Sequence, residues 1–494
     1  MTMRKLFMVV SGVLLGMSVV AWLWRTDDDA GGKTRLVWVS DPNPMRIRQV
    51  ELFNDLNPDL SLKLDPDNSG TMKVIVQSSA GMGPDLIGQV TFDRTMGLYL
   101  DAGVLMDLTE VAPKYGFSYA TLPEQVQRLC YVRVYDAETN TLKRGQFGYP
   151  ANNANSFVIF NKTIFDRYGV PYPNSDMTWE QFVEVTKRVT IKEGDAPAIF
   201  GFDGNVFKEL LQIYDTDVIN EDGTRSLVAS EAFIKAATEY HKLYFRHKVC
   251  PTRDDRSNMT SQGGWEGSSG PALMAQGRVA MIGGARWMLI GLRRYHDYQT
   301  SQRKKFLEAH PDRADEAPVV MAYGACLMPR DIHGVNVSMT GARQVCVNAK
   351  TKNQEAAFRF MQYLASEPYA DMINEGADAK PGPARFHELD RFVSDAYPGE
   401  TEIHRMSLEA VKYGRIAHSS LLVGSAVITR TVDQVRQRLE AQPLTDAEIE
   451  RMCQRYSAEL DQSIAREIQR DLTKKKIYRL LLAEGAEPIR GDDK

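Results

Sequence analysis

A regular alternation of strand and helix patterns over residues 35–103 limits this chain to a small group of folds. Residues 35–39 read RLVWV and residues 60–64 read LSLKL, both typical of strands, and MRIRQVELFNDLN between them has helical spacing. This unit predicts a parallel strand pair with a right-handed crossover. The helix MKVIVQSSAG, the strand PDLIGQV and the helix FDRTMGLYLDAG, capped at Asp93, repeat the pattern. We therefore predict an α/β domain that binds ligands beyond the carboxyl ends of its strands.

The length and composition indicate a globular protein with two lobes. A single hydrophobic core stops growing at roughly 250–300 residues, and this chain has 494. The 60 lysines and arginines are outnumbered by 64 aspartates and glutamates, and no basic stripe alternates with aromatic residues. A nucleic-acid partner is therefore not expected.

Cysteine and histidine spacing gives no sign of a metal site. The five cysteines form no C-x-x-C pair, and the eight histidines lack the spacing of metal ligands. We predict no metal and no cofactor. One disulfide remains open among Cys130, Cys250, Cys326, Cys346 and Cys453.

The amino terminus carries an apolar segment after two positive charges. Arg4 and Lys5 precede residues 6–24, which contain no charge, and Trp22 and Trp24 stand where an anchor would reach the outer interface. The length favours a transmembrane anchor in the cytoplasmic membrane, with a cleaved signal peptide as the alternative. In both cases the remaining chain would lie outside the cytoplasm.

An amide-rich loop stands directly before a strand in residues 145–182. PANNANS leads into SFVIF at residues 156–160, a short apolar run with β-branched and aromatic side chains. Thr178 and Gln181 then have the spacing of a capping box at the start of a helix. The pattern predicts a rigid scaffold that presents polar groups to a small ligand.

Six segments, in this order, resemble the extracellular solute-binding proteins of ATP-driven importers, in the class similar to maltose-binding proteins. They are VWVSDPNPMRIRQVELFNDLNPDLSLKL, GPDLIGQV, DAGVLMDLTEV, residues 145–182, AQGRVAMIGGARW and KNQEAAFRFMQYLAS. The resemblance implies two α/β lobes joined by hinge strands in a Venus-flytrap arrangement, with chain crossovers near Tyr149, Gly284 and Val347. The implied division is 1–33 for the anchor and tether, 34–149 with 285–346 for the first lobe, and 150–284 with 347–494 for the second.

The resemblance also implies a function. A monomer of this family would bind a sugar or related polar solute between its lobes and deliver it to a separate permease and ATPase. Sugars are held by planar hydrogen-bonding side chains and by aromatic faces. On these grounds we expect the ligand contacts to be Asp41, Asn43, Gln89, Thr91, Asn153, Asn155, Trp265, Glu266, Arg286, Trp287, Gln344 and Arg385.

Several of these residues have an equally simple structural interpretation. Asp41 and Asn43 are suited to setting a turn, and Trp287 is suited to a core. Trp265 lies among glycines and serines with few neighbours to pack against, which favours a ligand contact. Trp179 begins a helix and is interpreted as structural.

Two other functions remain as alternatives. A membrane-anchored sensor or scaffold would use the same fold for another purpose. An exported glycoside hydrolase would need two facing carboxylates, for which Glu266 and Asp41 are candidates. GGKT lacks the first glycine of a phosphate loop, and GGWEGSSG is not a nucleophile elbow. We predict that the protein is not an enzyme.

Two segments depart from the family pattern. LCYVRVYDAETNTLKRG is an insertion that predicts a hairpin around ETN, and KKKIYRLLL lies in an extended basic tail that is helical from about residue 445 to residue 482. The tail is interpreted as a solvated helix, with contact to a membrane or a partner as the alternative.

Overall fold

The computed structural model describes residues 32–92, 95–194, 196–259, 269–393 and 396–490. Within them the strands are β1 (Thr34–Val39), β2 (Leu60–Leu64), β3 (Leu86–Val90), β4 (Tyr131–Asp136), β5 (Thr141–Gln146), β6 (Gly148–Asn155), β7 (Phe157–Asn161), β8 (Ile191–Glu193), β9 (Ala196–Asp203), β10 (Val279–Gly284), β11 (Tyr323–Cys326), β12 (Ser338–Val347) and β13 (Gly414–Arg415).

The helices of the described residues lie between these strands and beyond them. They are α1 (Pro44–Leu56), α2 (Thr71–Ser79), α3 (Met96–Asp101), α4 (Glu124–Cys130), α5 (Lys162–Tyr168), α6 (Trp179–Val189), α7 (Phe207–Ile213), α8 (Glu231–Phe245), α9 (Arg253–Met259), α10 (Ser269–Ala275), α11 (Leu289–Ala309), α12 (Gln354–Leu364), α13 (Glu367–Gly376), α14 (Leu389–Phe392), α15 (Thr401–Glu409), α16 (Ser425–Ala441), α17 (Asp446–Arg470) and α18 (Leu472–Ala483).

The first lobe is built on a sheet in the order β13, β12, β3, β1 and β2, with β6 also paired to β12. The pairing of β1 with β2 and β3 is parallel, which confirms the predicted unit. Helix α1 begins where the Asn43 side chain accepts a hydrogen bond from the Met45 backbone amide, with Pro44 in the first turn. Phe53 on this helix packs with Trp38 in the first-lobe core. The predicted cap Asp93 lies outside the described residues.

The second lobe is built on a sheet in the order β11, β7, β10, β9 and β8. All five residues of β7 are buried because apolar cores cover both faces of the sheet. Val158 and Phe160 point into one core and Phe157 and Ile159 into the other, as the two-residue period of a strand requires. The predicted capping box at Thr178 is present.

The cores divide the chain differently from the predicted boundaries. Leu289 and Leu292 of α11 pack on the second sheet, so residues following Gly284 do not return to the first lobe there. Phe360 and Met361 of α12 pack in the first-lobe core, although residues after 347 were assigned to the second lobe. The apolar stripe of a helix shows that it is covered but not by which sheet, and this is why the motif order misplaced both helices.

The chain passes repeatedly between the lobes. It leaves the first sheet after β6 and enters the second at β7, and it returns to the first sheet with β12. It leaves again after α13 through Ala377 and Ala379, two non-glycine residues with left-handed backbone, and β13 then pairs with β12. These segments form the connection between the lobes.

The two departures from the family pattern meet in the structure. The predicted hairpin is formed by β4 and β5. The tail is helical as predicted, with a break at Asp471 between α17 and α18. Ile477, Tyr478 and Leu481 of α18 are buried, so this helix is amphipathic and packed on one side.

The five cysteines are free and buried. Burial raises the pKa of the Cys453 thiol to about 12 and of the Cys130 thiol well above its usual value, so these side chains act as apolar packing. No helix of the described residues has the length and apolarity of a membrane span. The predicted anchor at residues 6–24 lies outside them.

Candidate functional site

A cavity of about 290 Å³ lies between the two sheets. Thr91 lines it just beyond the end of β3, Asn155 at the end of β6, and Thr340 on β12. Lys208 and Trp287 line it from the second lobe. We call this space, bounded by these five residues, the interlobe cavity. It lies beyond the carboxyl ends of β3 and β10, where α/β folds bind ligands.

The Asn155 side chain is held in one orientation at the cavity wall. Its Nδ2 donates to Thr340 Oγ1 at 3.0 Å and to the Ala410 carbonyl at 3.4 Å. Its Oδ1 accepts a hydrogen bond from Lys380 Nζ at 3.1 Å. Lys380 is fully buried, and burial together with the nearby Arg286 lowers the pKa of its ammonium to about 7. A fixed amide and a fixed hydroxyl therefore form a rigid polar surface.

Two other side chains give the interlobe cavity the mixed character that a carbohydrate needs. Trp287 is half-buried and supplies an aromatic ring. Thr91 Oγ1 is buried and makes no hydrogen bond within the described part of the chain. A buried hydroxyl without a partner is costly, which makes Thr91 a ready donor or acceptor for a solute hydroxyl.

Lys208 is a charged wall residue that sequence analysis did not single out. It lies on α7, next to Phe207, which is buried in the second-lobe core. Its neighbour Glu209 is buried, and burial raises the pKa of that carboxyl. A lone lysine in a short helix carries no signal that it faces a cavity, so only the packing of α7 reveals its position.

Asp41 and Asn43 belong to a buried group of charges in the first lobe. Asp41 accepts from Arg46 Nε at 2.9 Å and from Arg343 Nη1 at 2.7 Å. Arg46 Nη1 also donates to Asp378 at 2.7 Å. We call Asp41, Arg46, Arg343 and Asp378 the ionic cluster. Asn43 caps α1 beside it and lies 3.5 Å from Asp378, in the turn-setting position that was the structural alternative for this residue.

Arg286 lies between elements of the two lobes rather than on the cavity wall. Its Nη1 and Nη2 donate to the carbonyls of Ala379 and Asn374 at 2.6 Å each, and its guanidinium stacks on Phe392 at 4.4 Å. The two carbonyls lie in the last turn of α13 and just beyond its end, and Phe392 lies on α14. The arginine thus holds the connection between the lobes.

The remaining predicted contacts are dispersed. Asn153 is buried and donates to the Pro381 carbonyl at 2.7 Å, and Gln344 is buried with its Nε2 3.5 Å from the Leu129 carbonyl. Gln89 is exposed and has a left-handed backbone. Arg385 is exposed and donates to the Ala365 carbonyl. Of the predicted residues, the structure brings Thr91, Asn155 and Trp287 together at the interlobe cavity, and Trp265 and Glu266 lie outside the described residues.

Two observations on the described residues bear on the catalytic alternatives. No group of histidine, cysteine, aspartate or glutamate among them could hold a metal ion. Asp41, the described member of the suggested carboxylate pair, is paired with two arginines.

Comparison with known proteins identifies the family and the fold of this chain. The family model for the bacterial extracellular solute-binding protein matches residues 46–371. An ABC substrate-binding protein, Lmo0181 from Listeria monocytogenes in complex with cycloalternan, is similar in structure, with 20% identity, a TM-score of 0.66, and coverage of 88% of this chain and 99% of that chain. Maltose-bound MalE3 of T. maritima gives 16% identity, a TM-score of 0.62, and coverage of 86% and 99%. These similarities confirm the predicted two-lobe α/β fold.

One further relative is similar in sequence over a shorter part of the chain. The lactose-binding protein of Rhizobium radiobacter is 22% identical over 247 residues, which is 48% of this chain and 54% of that protein. The match therefore spans about half the length of the relative. These relatives are binding proteins, in agreement with the prediction that the chain is not an enzyme.

Proposed function

Because the chain belongs to the bacterial extracellular solute-binding protein family, we propose that it captures a carbohydrate in the interlobe cavity and delivers it to an ATP-driven importer. The observation that carries this proposal is the meeting of Thr91, Asn155 and Trp287 from three separate segments at one cavity between the lobes. Structural relatives that hold cycloalternan and maltose support the choice of a carbohydrate.

The proposed mechanism uses the two lobes as the moving parts. Solute hydroxyls would bind Thr91 on the first lobe and donate to the second lone pair of Asn155 Oδ1 near the connection, and Trp287 would cover an apolar face from the second lobe. Contacts with both lobes favour the closed arrangement over an open one, because only the closed form makes them together. The closed form would then be the one that the permease recognises.

Thermal unfolding with a carbohydrate panel tests the binding step. All described strands and helices lie between Thr34 and Ala483, so residues 33–494 are a suitable protein for the assay. A solute at 100 times its dissociation constant should stabilise the fold by about 2.7 kcal/mol. A Trp287→Ala variant should lose most of this shift, and Tyr298→Ala, which changes an aromatic residue that is 62% exposed, should keep it.

The outcomes separate the proposed function from its alternatives. If a carbohydrate raises the midpoint temperature of unfolding and is recovered unchanged, the proposed binding function is supported. If the carbohydrate is consumed, the protein is a hydrolase. No shift with any carbohydrate, or the same shift in the Trp287→Ala variant, contradicts the proposed site.

Delivery to an importer needs a cellular experiment. Cells lacking this protein should lose uptake of the radiolabelled carbohydrate, and expression of the wild-type chain should restore it. The permease and ATPase would be separate chains. Normal uptake without the protein, together with intact binding in solution, would favour a membrane-anchored sensor instead.

We also propose that the protein works outside the cytoplasm as a monomer held at the cytoplasmic membrane by residues 6–24. An anchor would raise the concentration of the protein near its permease. The full-length chain should remain in the membrane fraction after alkaline carbonate washing, and residues 33–494 alone should be released. Recovery of a shortened chain in the soluble fraction would indicate a cleaved signal peptide.

A further inference from the structure

A second and larger cavity lies where the hairpin and the tail helix approach each other. Its volume is about 1040 Å³. Tyr131 and Arg133 of β4 line it on one side, and Lys474 and Ile477 of α18 line it on the other. We call this space the hairpin–tail cavity. Both walls belong to the segments by which the chain departs from the family pattern, and α18 lies beyond residue 371, where the family match ends.

Direct contacts hold the two walls together. Arg133 forms an ion pair with Glu484, just after α18, and Lys476 lies over the Tyr135 ring at 5.8 Å. Elsewhere on the rim, α3 of the first lobe approaches the start of α16 so closely that a Cβ on Gly97 would lie 3.1 Å from Ser425 Oγ. The lobes therefore touch on two sides of this cavity.

The hairpin–tail cavity and the interlobe cavity are neighbours. Phe92 lines both spaces and follows directly after Thr91, whose hydroxyl makes no hydrogen bond among the described residues. A solute long enough to pass Phe92 would reach from one space into the other. The interlobe cavity is at the small end of the range for ligand pockets, about 300–1,000 Å³, and the hairpin–tail cavity is at its large end.

The side chains in the hairpin–tail cavity suit a polyhydroxylated chain. Tyr131 is 38% exposed and offers an aromatic surface. Ser419 and Thr473 also line the cavity, and Asp222 and Arg144 add a carboxylate and a guanidinium. The Arg144 guanidinium lies over the Tyr131 ring at 5.8 Å. Aromatic rings beside planar polar groups can contact both the C–H faces and the hydroxyls of sugar rings.

We propose that the hairpin–tail cavity is a second binding region, which holds the outer units of an oligosaccharide whose first unit occupies the interlobe cavity. This proposal rests on the proposed function and names its solute class. The insertion and the extended tail are then parts of one binding region. Monosaccharides would bind weakly because they reach only the interlobe cavity.

The test measures affinity against carbohydrate length. Full-length protein, purified in a detergent without a sugar headgroup, is titrated with mono-, di-, tri- and hexasaccharides of glucose, galactose and mannose. Tyr131→Ala should weaken binding of the longer carbohydrates by about fivefold, as expected for the loss of one aromatic surface, and leave monosaccharide binding unchanged. The matched control is Tyr168→Ala, since Tyr168 is 41% exposed and lies at the end of α5.

A second variant guards against a folding defect at Tyr131, which packs against Tyr119. Thr473 is exposed in the first turn of α18, so Thr473→Trp should fill the cavity without disturbing a core and should selectively weaken the longer carbohydrates. Equal affinity at all lengths, or unchanged binding in both variants, would overturn the second binding region while leaving the proposed function intact. If no member of the panel binds the wild-type protein, both proposals fail.

Discussion

The ionic cluster and the Asn155–Lys380 pair are both buried and polar, yet they use their polar groups differently. In the ionic cluster two arginines face two aspartates, and its contacts stay within the first lobe and the connection. Lys380 instead donates to an amide that lines the interlobe cavity. In the ionic cluster the arginine charges are neutralised by aspartate charges. The Lys380 ammonium is instead hydrogen-bonded to the neutral amide oxygen of Asn155.

This difference distinguishes residues that stabilise the fold from residues that line the cavity and can contact a solute. A buried carboxylate with two guanidinium partners has little capacity left for a ligand, because its oxygens already accept strong hydrogen bonds. Asn155 has a fixed position but keeps one side on the cavity. We therefore expect changes in the ionic cluster to affect stability first, and changes around Asn155 to affect binding and its pH dependence.

The largest expected effect is the loss of stability in Arg46→Met. Arg46 is fully buried, and its removal leaves Asp378 and Asp41 with fewer positive partners. Removing one member of a buried ion pair costs about 3–5 kcal/mol, and urea unfolding should show a decrease of about that size. The control is Arg48→Met on the same helix, whose partner Glu375 is exposed; its effect should stay within about 0.5 kcal/mol. Similar effects of the two substitutions would show that the ionic cluster does not stabilise the fold.

The next effect is a pH dependence of stability that originates at Lys380. Burial and the nearby Arg286 lower the pKa of this lysine to about 7 in the folded protein, while the unfolded chain titrates near 10.4. Between these values the unfolded state binds more protons, so the lysine makes the free energy of unfolding increase with pH, by at most about 1.4 kcal/mol per pH unit.

Lys380→Met isolates this contribution. Urea unfolding of the wild type and the variant should be compared from pH 7 to pH 10, because the buried tyrosines and cysteines that titrate in the same range are common to both proteins. The stability of the wild type relative to the variant should increase with pH, since the cost of burying the charge falls as the lysine loses its proton. A constant difference would mean that Lys380 stays protonated throughout.

Much of the fold follows from short-range patterns. The capping box at Thr178 depends on residues within one helical turn. The unit from β1 to β2 and the hairpin around residues 138–140 each depend on segments that follow one another directly in the chain. The assignment of α11 and α12 to lobes was wrong because it depends on contacts between segments far apart in sequence. Phe360 of α12, for example, packs on Trp38 with ring centroids 5.2 Å apart.

Less of the site could be predicted. Sequence predicts which amides and carboxylates follow strand ends, but it does not tell whether a partner from elsewhere in the chain occupies them. Asp41 is paired with Arg343, about 300 residues away in the chain. Neither segment carries a sequence pattern that predicts this ion pair. Lys208 was missed for the converse reason, since its exposure to the cavity depends on how α7 packs.

Thr91→Val should have the smallest effect of these substitutions, and it tests the comparison most directly. The substitution keeps the shape of the side chain and replaces the hydroxyl, which makes no hydrogen bond in the described part of the chain, with a methyl group. Stability should therefore stay the same or rise slightly, whereas carbohydrate affinity should fall by about fivefold, the value of one hydrogen bond near 1 kcal/mol. Isothermal titration gives the affinity, and Thr139→Val at the exposed tip of the hairpin is the matched control. If affinity is unchanged while Trp287→Ala abolishes binding, the solute would contact the second lobe and not the end of β3, so closure could not depend on a hydrogen bond from Thr91.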